Sequence, residues 1–170
     1  MEPSFWEFSL ETYKKPDAEA ACLRLQNEHD ADVNLLLLCC YSGRHGVRLT
    51  DETLAVLANQ AAAWQTEVVG PLRALRRRLK QPVGAVGVEQ AAALREGIKR
   101  LELDAEQLEQ EMLQTALVAL PGQDGRAAER HGLARANLIM YLRRLGVAAR
   151  DRVRDDLETL ISASFPDERG

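Results

Sequence analysis

The chain has 170 residues, of which 46% are hydrophobic and only 5% aromatic, and a formal net charge of −4. That length fits one domain able to bury about 70% of its unfolded surface with no need of a metal or disulfide. Much Ala, Leu, Glu and Arg favours helices over a sheet of β-branched strands, and the acid excess argues against generic affinity for nucleic acid or an anionic membrane unless a local basic patch overrides it.

The N-terminal MEPSFWEFSLETYKK lacks a basic start followed by an apolar core, so it does not read as a secretory signal. Ser4-Phe5-Trp6-Glu7 has the form of a capping box. It predicts a short helix over 5–14 presenting Phe5, Trp6, Phe8, Leu10 and Tyr13, aromatic enough to be docked rather than loose. Pro16 suits a first helical turn, and Asp17 and Glu19 place negative charge at the start of the next helix.

That next helix, over 17–41, is the expected centre of the domain. At about 100° per residue, Ala18, Ala21, Cys22, Leu25, Val33, Leu36, Cys39 and Cys40 share one broad face, together with His29 and Asp32. Beyond residue 33 the wheel is apolar on every side around Asn34, the pattern of a helix buried all round. The run from Val33 to Tyr41 falls far short of the roughly 20 residues that span a bilayer.

Ser42-Gly43 ends this helix, and a loop follows. Thr50 or Asp51 caps a helix whose seam reads Leu54, Leu57, Ala61, Trp64, Val68, Leu72, Leu75, Leu79. Because the seam keeps phase through Gly70-Pro71, one helix over 51–80 is expected, kinked near 67–71. After a Pro/Gly breaker, the helix 88–120 carries Leu94, Ile98, Leu101, Ala105, Leu108 and Met112 as a coiled-coil-like seam, expected to pack antiparallel on its predecessor. Pro121 to Gly125 stops it. Helices over 126–145, with Ala134, Leu138, Tyr141, Leu142 and Leu145 inward and Gly146 as C-cap, and over 148–164, with Val153, Leu157, Leu160 and Ile161 inward, complete the chain before a frayed tail, 166–170. No strand pattern occurs. The expectation is an all-α single domain, 1–165, a bundle of five or six helices with a long kinked helical hairpin.

Among candidate sites the polar cluster His29, Asp32 and Asn34 stands out. Glu28 and Asp32, at i,i+4, have the spacing to share a divalent cation. The Glu-x-x-His pairs of di-iron bundles are missing, however, and no second helix offers a matching carboxylate pair on its predicted inner face, so no metal and no catalytic residue is assigned. A buried Asp32 still needs a partner. Arg76, flanking the seam, is the best candidate, whereas Arg73, Arg77 and Lys80 are expected to point away. If Arg76 meets Asp32, the pair locks two helices in register; if both face a cavity, they belong to a ligand site, to which Trp64 at the kink would contribute.

The strip Arg73 to Lys80 reads as a solvated face at a helix C-terminus, with an RNA or acidic-protein dock as its functional alternative; no aromatic residues interleave it. Cys39-Cys40 reads as buried thiols, and three cysteines suit a reducing cytoplasm. No cofactor is expected, since Gly84-Ala85-Val86-Gly87 has no lysine behind it.

FWEFSLETY, LQNEHDADVNLLLLCCY and WQTEVVGPLRALRRRLK together resemble a family of short proteobacterial proteins catalogued only as a domain of unknown function. The resemblance spans most of the first 110 residues and is strongest at Asp32-Val33-Asn34-Leu35-Leu36 and Pro71-Leu72-Arg73. It implies a bacterial cytoplasmic protein and no activity. The leading expectation is a non-enzymatic helical module that binds another cytoplasmic protein. A small-ligand-binding bundle or enzyme using Asp32, His29 and Asn34, and an RNA-associated protein using 73–80, are the alternatives.

Overall fold

The computed structural model describes residues 3–119 and 129–165. The stop at 121–125, the start of the helix drawn from 126 and the tail 166–170 lie outside them. The chain folds as α1 (Phe5–Tyr13), α2 (Pro16–His29), α3 (Val33–Arg44), α4 (Asp51–Trp64), a π-helical turn (Gln65–Val69), α5 (Gly70–Arg78), α6 (Ala92–Ala119), α7 (Arg130–Arg144) and α8 (Asp151–Ser164). Because α4, the π turn and α5 run on without a break, these are seven helical rods, one or two more than expected. The class is all-α. An isolated bridge between Val83 and Val86 closes the α5–α6 turn, and no strand occurs among the described residues.

The extra rod comes from the helix drawn over 17–41, which is two helices. Asp30 adopts a left-handed conformation, φ 55°, and ends α2. Asp32 then turns extended and caps α3, its Oδ1 accepting from the amides of Asn34 at 2.8 Å and Leu35 at 3.4 Å. Short acidic side chains both tolerate the left-handed region and satisfy free N–H groups. The apolar periodicity ran through the break and masked it.

Only α3 is central. Every residue from Asn34 to Gly43 is buried, mainly against α7 and α8. Gly43 permits the closest approach, for a Cβ there would lie 2.3 Å from the backbone nitrogen of Ala134. Asn137 of α7 pins the loop after α3: its Oδ1 accepts from the Leu49 amide at 2.8 Å, and its Nδ2 donates to the carbonyls of Val47 at 2.9 Å and Cys39 at 3.3 Å.

The capping box forms as expected, the Ser4 amide donating to Glu7 Oε2 at 2.9 Å and the Glu7 amide to Ser4 Oγ at 3.3 Å. Thr50 caps α4. Gly146, φ 73°, closes α7, although Leu145 faces outward. The α4–α5 rod packs antiparallel on α6, with Trp64 Nε1 donating to the Ala105 carbonyl at 2.8 Å and Gln65 Nε2 to Glu109 Oε2 at 2.7 Å.

The two long rods depart from expectation in phase. Pro71 lacks the N–H that an α-helix would require and crowds the carbonyl of residue 67, and the strain is absorbed as the π turn just before it. Gly70 donates to the Gln65 carbonyl instead, and a Cβ on Gly70 would stand 2.8 Å from that oxygen. A π turn shifts helical phase by about one residue, so Val69 is buried and Leu75 exposed. On α6, Ile98 and Ala105 of the expected seam are buried, but Leu94, Leu101 and Leu108 lie outward, 60%, 56% and 55% exposed, while Glu102, Glu109, Gln110 and Leu113 are buried.

Candidate functional site

The rotation of α6 and the phase slip in α4–α5 create a charged floor between the rods. Arg73 Nε donates to Glu102 Oε1 at 2.9 Å and its NH2 to Glu106 Oε1 at 2.8 Å; Arg76 donates to Glu102 Oε2 at 2.5 Å and Oε1 at 3.2 Å. Arg76 therefore does not bond Asp32 as expected, and Arg73 points inward rather than away. Burial raises the pKa of Glu102, but its bonds to the two guanidiniums outweigh this and hold the carboxyl below its usual range. Carboxylates on the inner face of a second helix, which the sequence reading lacked, are therefore present in α6.

Above this floor opens a cavity of about 560 Å³, within the range of small-molecule sites. Trp6, Ser9, Leu10 and Tyr13 of α1 and Leu23 and Gln26 of α2 form one wall. Asp30 to Val33, then Asn34 and Leu37 of α3, form a second. Gln65, Arg73, Arg76, Arg77, Leu103, Glu106 and Gln110 form the side made by the two rods.

Of the residues singled out in the sequence, Asp32, Asn34, Arg73, Arg76 and Arg77 line this one space. His29, the last residue of α2, is not among the lining residues, nor is Trp64, whose indole is bonded to α6. Lys80 is exposed beyond the end of α5, and Arg78 donates to the Pro82 carbonyl at 3.1 Å. Sequence reasoning missed Ser9, Tyr13, Gln65, Glu106 and Gln110. One signal for the glutamates was available: Glu102, Glu106 and Glu109 repeat at steps of four and three, complementing Arg73 and Arg76 on the antiparallel partner.

The cavity's polar groups are incompletely satisfied. Gln110 Nε2 donates to Asn34 Oδ1 at 2.7 Å, but Gln110 Oε1 has no partner; neither has Ser9 Oγ. Both residues line the cavity and are 3% exposed. Behind Gln110, fully buried Glu109 uses only Oε2, and its Oε1 is without a partner. Burial, reinforced by the charge of Asp32, pushes Glu109 up to about 8. Burial likewise raises Glu106, and raises Asp32 against the pull of its two capping amides. Tyr13 is raised to about 12 by burial. Among the described residues, no three His, Cys, Asp or Glu side chains converge as a metal site, and no helix is long and apolar enough to cross a membrane.

Fold and site together define an all-helical bundle with a polar-floored, apolar-walled cavity at the junction of α1, α2, α3 and the antiparallel rods. The chain belongs to the family described as Protein of unknown function (DUF2390), whose model matches residues 4–113. That span contains every residue of the cavity. Neither the curated proteins nor the solved structures provide a match.

Proposed function

We propose that this protein is a small-ligand-binding helical bundle whose site is the cavity over the Arg73–Glu102–Arg76 floor. One observation carries this reading: the cavity, about 560 Å³, brings Asp32, Asn34, Arg73, Arg76 and Glu106 to one polar side against apolar walls that include Trp6, Leu10 and Leu23. Among the described residues no complete nucleophile, base and oxyanion set surrounds the space, so binding rather than catalysis is the reading.

A thermal-shift screen of metabolites tests it. A ligand at a hundredfold its Kd is expected to raise Tm by about 5–10 °C, and Gln110→Met is expected to reduce that shift. Failure of every compound to stabilise the wild-type protein, with mass spectrometry of the purified protein finding no co-purifying molecule, would count against it.

The outward leucines of α6 support a second reading, a protein-binding surface. Leu94, Leu101 and Leu108 repeat every seven residues on one exposed stripe, the spacing at which a helix receives a second helix. Leu101→Ser is expected to abolish retention of a partner protein in affinity capture while leaving the ligand-induced Tm shift intact; a retained partner despite that substitution would argue against the stripe.

A further inference from the structure

We propose that the outward stripe of α6 docks a second copy of this chain, the two α6 helices packing antiparallel about a two-fold axis at Leu101. This names the partner for the protein-binding surface put forward above and rests on that second reading.

The stripe is apolar where the protomer does not bury it. Leu94, Leu101 and Leu108 are each more than half exposed, and they recur every seven residues along a helix of 28 residues, the spacing at which one helix receives another. Gly97 lies between the first two on the same face. A Cβ there would meet nothing nearer than Arg100 Nη2 at 3.9 Å, so nothing within the protomer requires glycine. The missing side chain leaves a hollow in the groove lined by Leu94, Ile98, Leu101 and Asp104.

Charge selects the occupant. Arg100 and Asp104 flank Leu101 on one edge of the stripe, both exposed, and neither forms an ion pair or side-chain hydrogen bond among the described residues. A two-fold axis through Leu101, perpendicular to both helices, keeps that edge on the same side in each copy and reverses its direction. Arg100 then lies beside the partner's Asp104, offset by about 3 Å along the helix and within an arginine's reach, and the pairing occurs twice. The leucines match under the same operation, Leu101 meeting its own equivalent and Leu94 meeting the partner's Leu108. A parallel pair would instead set the charged edge against the partner's Ile98, Ala105 and Met112, which carry no charge. The stripe is thus complementary to itself in one orientation, as a closed two-fold contact requires.

The contact is short. Leu94 to Leu108 span about 21 Å of helix, which places the dimer in the small, transient class of interfaces, with an expected Kd on the order of 10–100 µM.

Sedimentation velocity of the full chain from about 5 to about 500 µM is the test. The wild-type chain should pass from monomer to dimer across that range and go no further, and Leu101→Ser should stay monomeric throughout. Arg100→Asp and Asp104→Arg should each weaken association roughly fivefold or more. The double variant should recover it, because the exchange restores both pairs in the antiparallel register. All three positions are exposed, and unchanged helical circular dichroism verifies that the variants are folded. Orientation is read from a spin label at Glu111→Cys, an exposed position, the three native cysteines being buried. Two labels should stand about 30 Å apart in the antiparallel pair and under about 20 Å in a parallel one. A monomer at every concentration, a dimer indifferent to Leu101→Ser, no recovery in the double variant, or the short label distance would each overturn the proposal. A monomeric chain that still captures another protein through Leu101 would overturn self-docking and leave the stripe as a binding surface; no dimer and no Leu101-dependent partner would remove both.

Discussion

Glu109 shows what one side chain does to the pH response of this fold. Its pKa lies at about 8 in the folded protein and near 4.3 in an unfolded chain. Between those values the folded state holds the extra proton, so stability falls as pH rises through that window. Glu109→Gln, which keeps an acceptor for Gln65, is expected to flatten the decline of Tm between about pH 5 and pH 8.5; an unchanged slope would place the titration elsewhere. Asp32 combines two roles, helix cap and cavity wall. Asp32→Ala should lower stability by about 1 kcal/mol through the lost cap, whereas Asp32→Asn, which can still accept from the Asn34 amide without burying a charge, should be neutral or stabilising in urea melts. Asp32 and Asn34 were legible as unusual because they interrupt an apolar run. Ser9 and Gln110 were not, since an orphaned oxygen is a property of the surroundings, and no sequence pattern states which donor fails to arrive.

The elements divide along the same physical line. Capping chemistry is local, so the ends of α1 and α4 and the glycine closing α7 could be read directly from Ser4, Thr50 and Gly146. Phase is not local. The α6 seam holds at Ile98 and Ala105 but fails at Leu94, Leu101 and Leu108, because apolar periodicity carries no information about Arg73 and Arg76 across the hairpin, whose pairing turns Glu102 inward. The α2–α3 break was hidden for a related reason, as two helices with compatible stripes read as one. Close packing adds constraints that no stripe records. Gly43→Ala would force a methyl into the α7 backbone at Ala134, and a loss of about 3 kcal/mol is expected on chemical denaturation. Asn137→Leu, which leaves the Leu49 amide and the Val47 and Cys39 carbonyls without their partner, should cost roughly 2–4 kcal/mol.

For the whole molecule, opposing titrations set the pH of greatest stability. Asp32, Glu106 and Glu109 are raised mainly by burial, so their contributions fade as pH rises above the ordinary carboxylate range, for Glu109 toward about 8. Glu102 and Glu158 are lowered: burial and two arginines act on Glu102, and Arg135 chiefly holds Glu158 down. Their stabilisation is present above the unfolded carboxylate range and disappears as pH falls through it. The stability maximum should therefore lie on the mildly acidic side, near pH 5; a maximum at or above pH 7.5 in calorimetry would contradict this balance. The three cysteines, Cys22, Cys39 and Cys40, are all buried, and burial raises each thiol, so the folded protein should resist thiol reagents until it is denatured.

The π turn can also be described as an extra letter in a helix. An uninterrupted α-helix would bridge α4 and α5 with one residue fewer, so Gln65–Val69 is equivalent to a single-residue insertion that every later position inherits as a rotation of about 100°. Removing Thr66, exposed within that turn, is expected to restore the leucine seam through Leu75 and swing Arg73 and Arg76 off Glu102. The shortened protein would be a folded bundle without its charged floor, retaining helical content by circular dichroism while losing affinity for any ligand of the cavity.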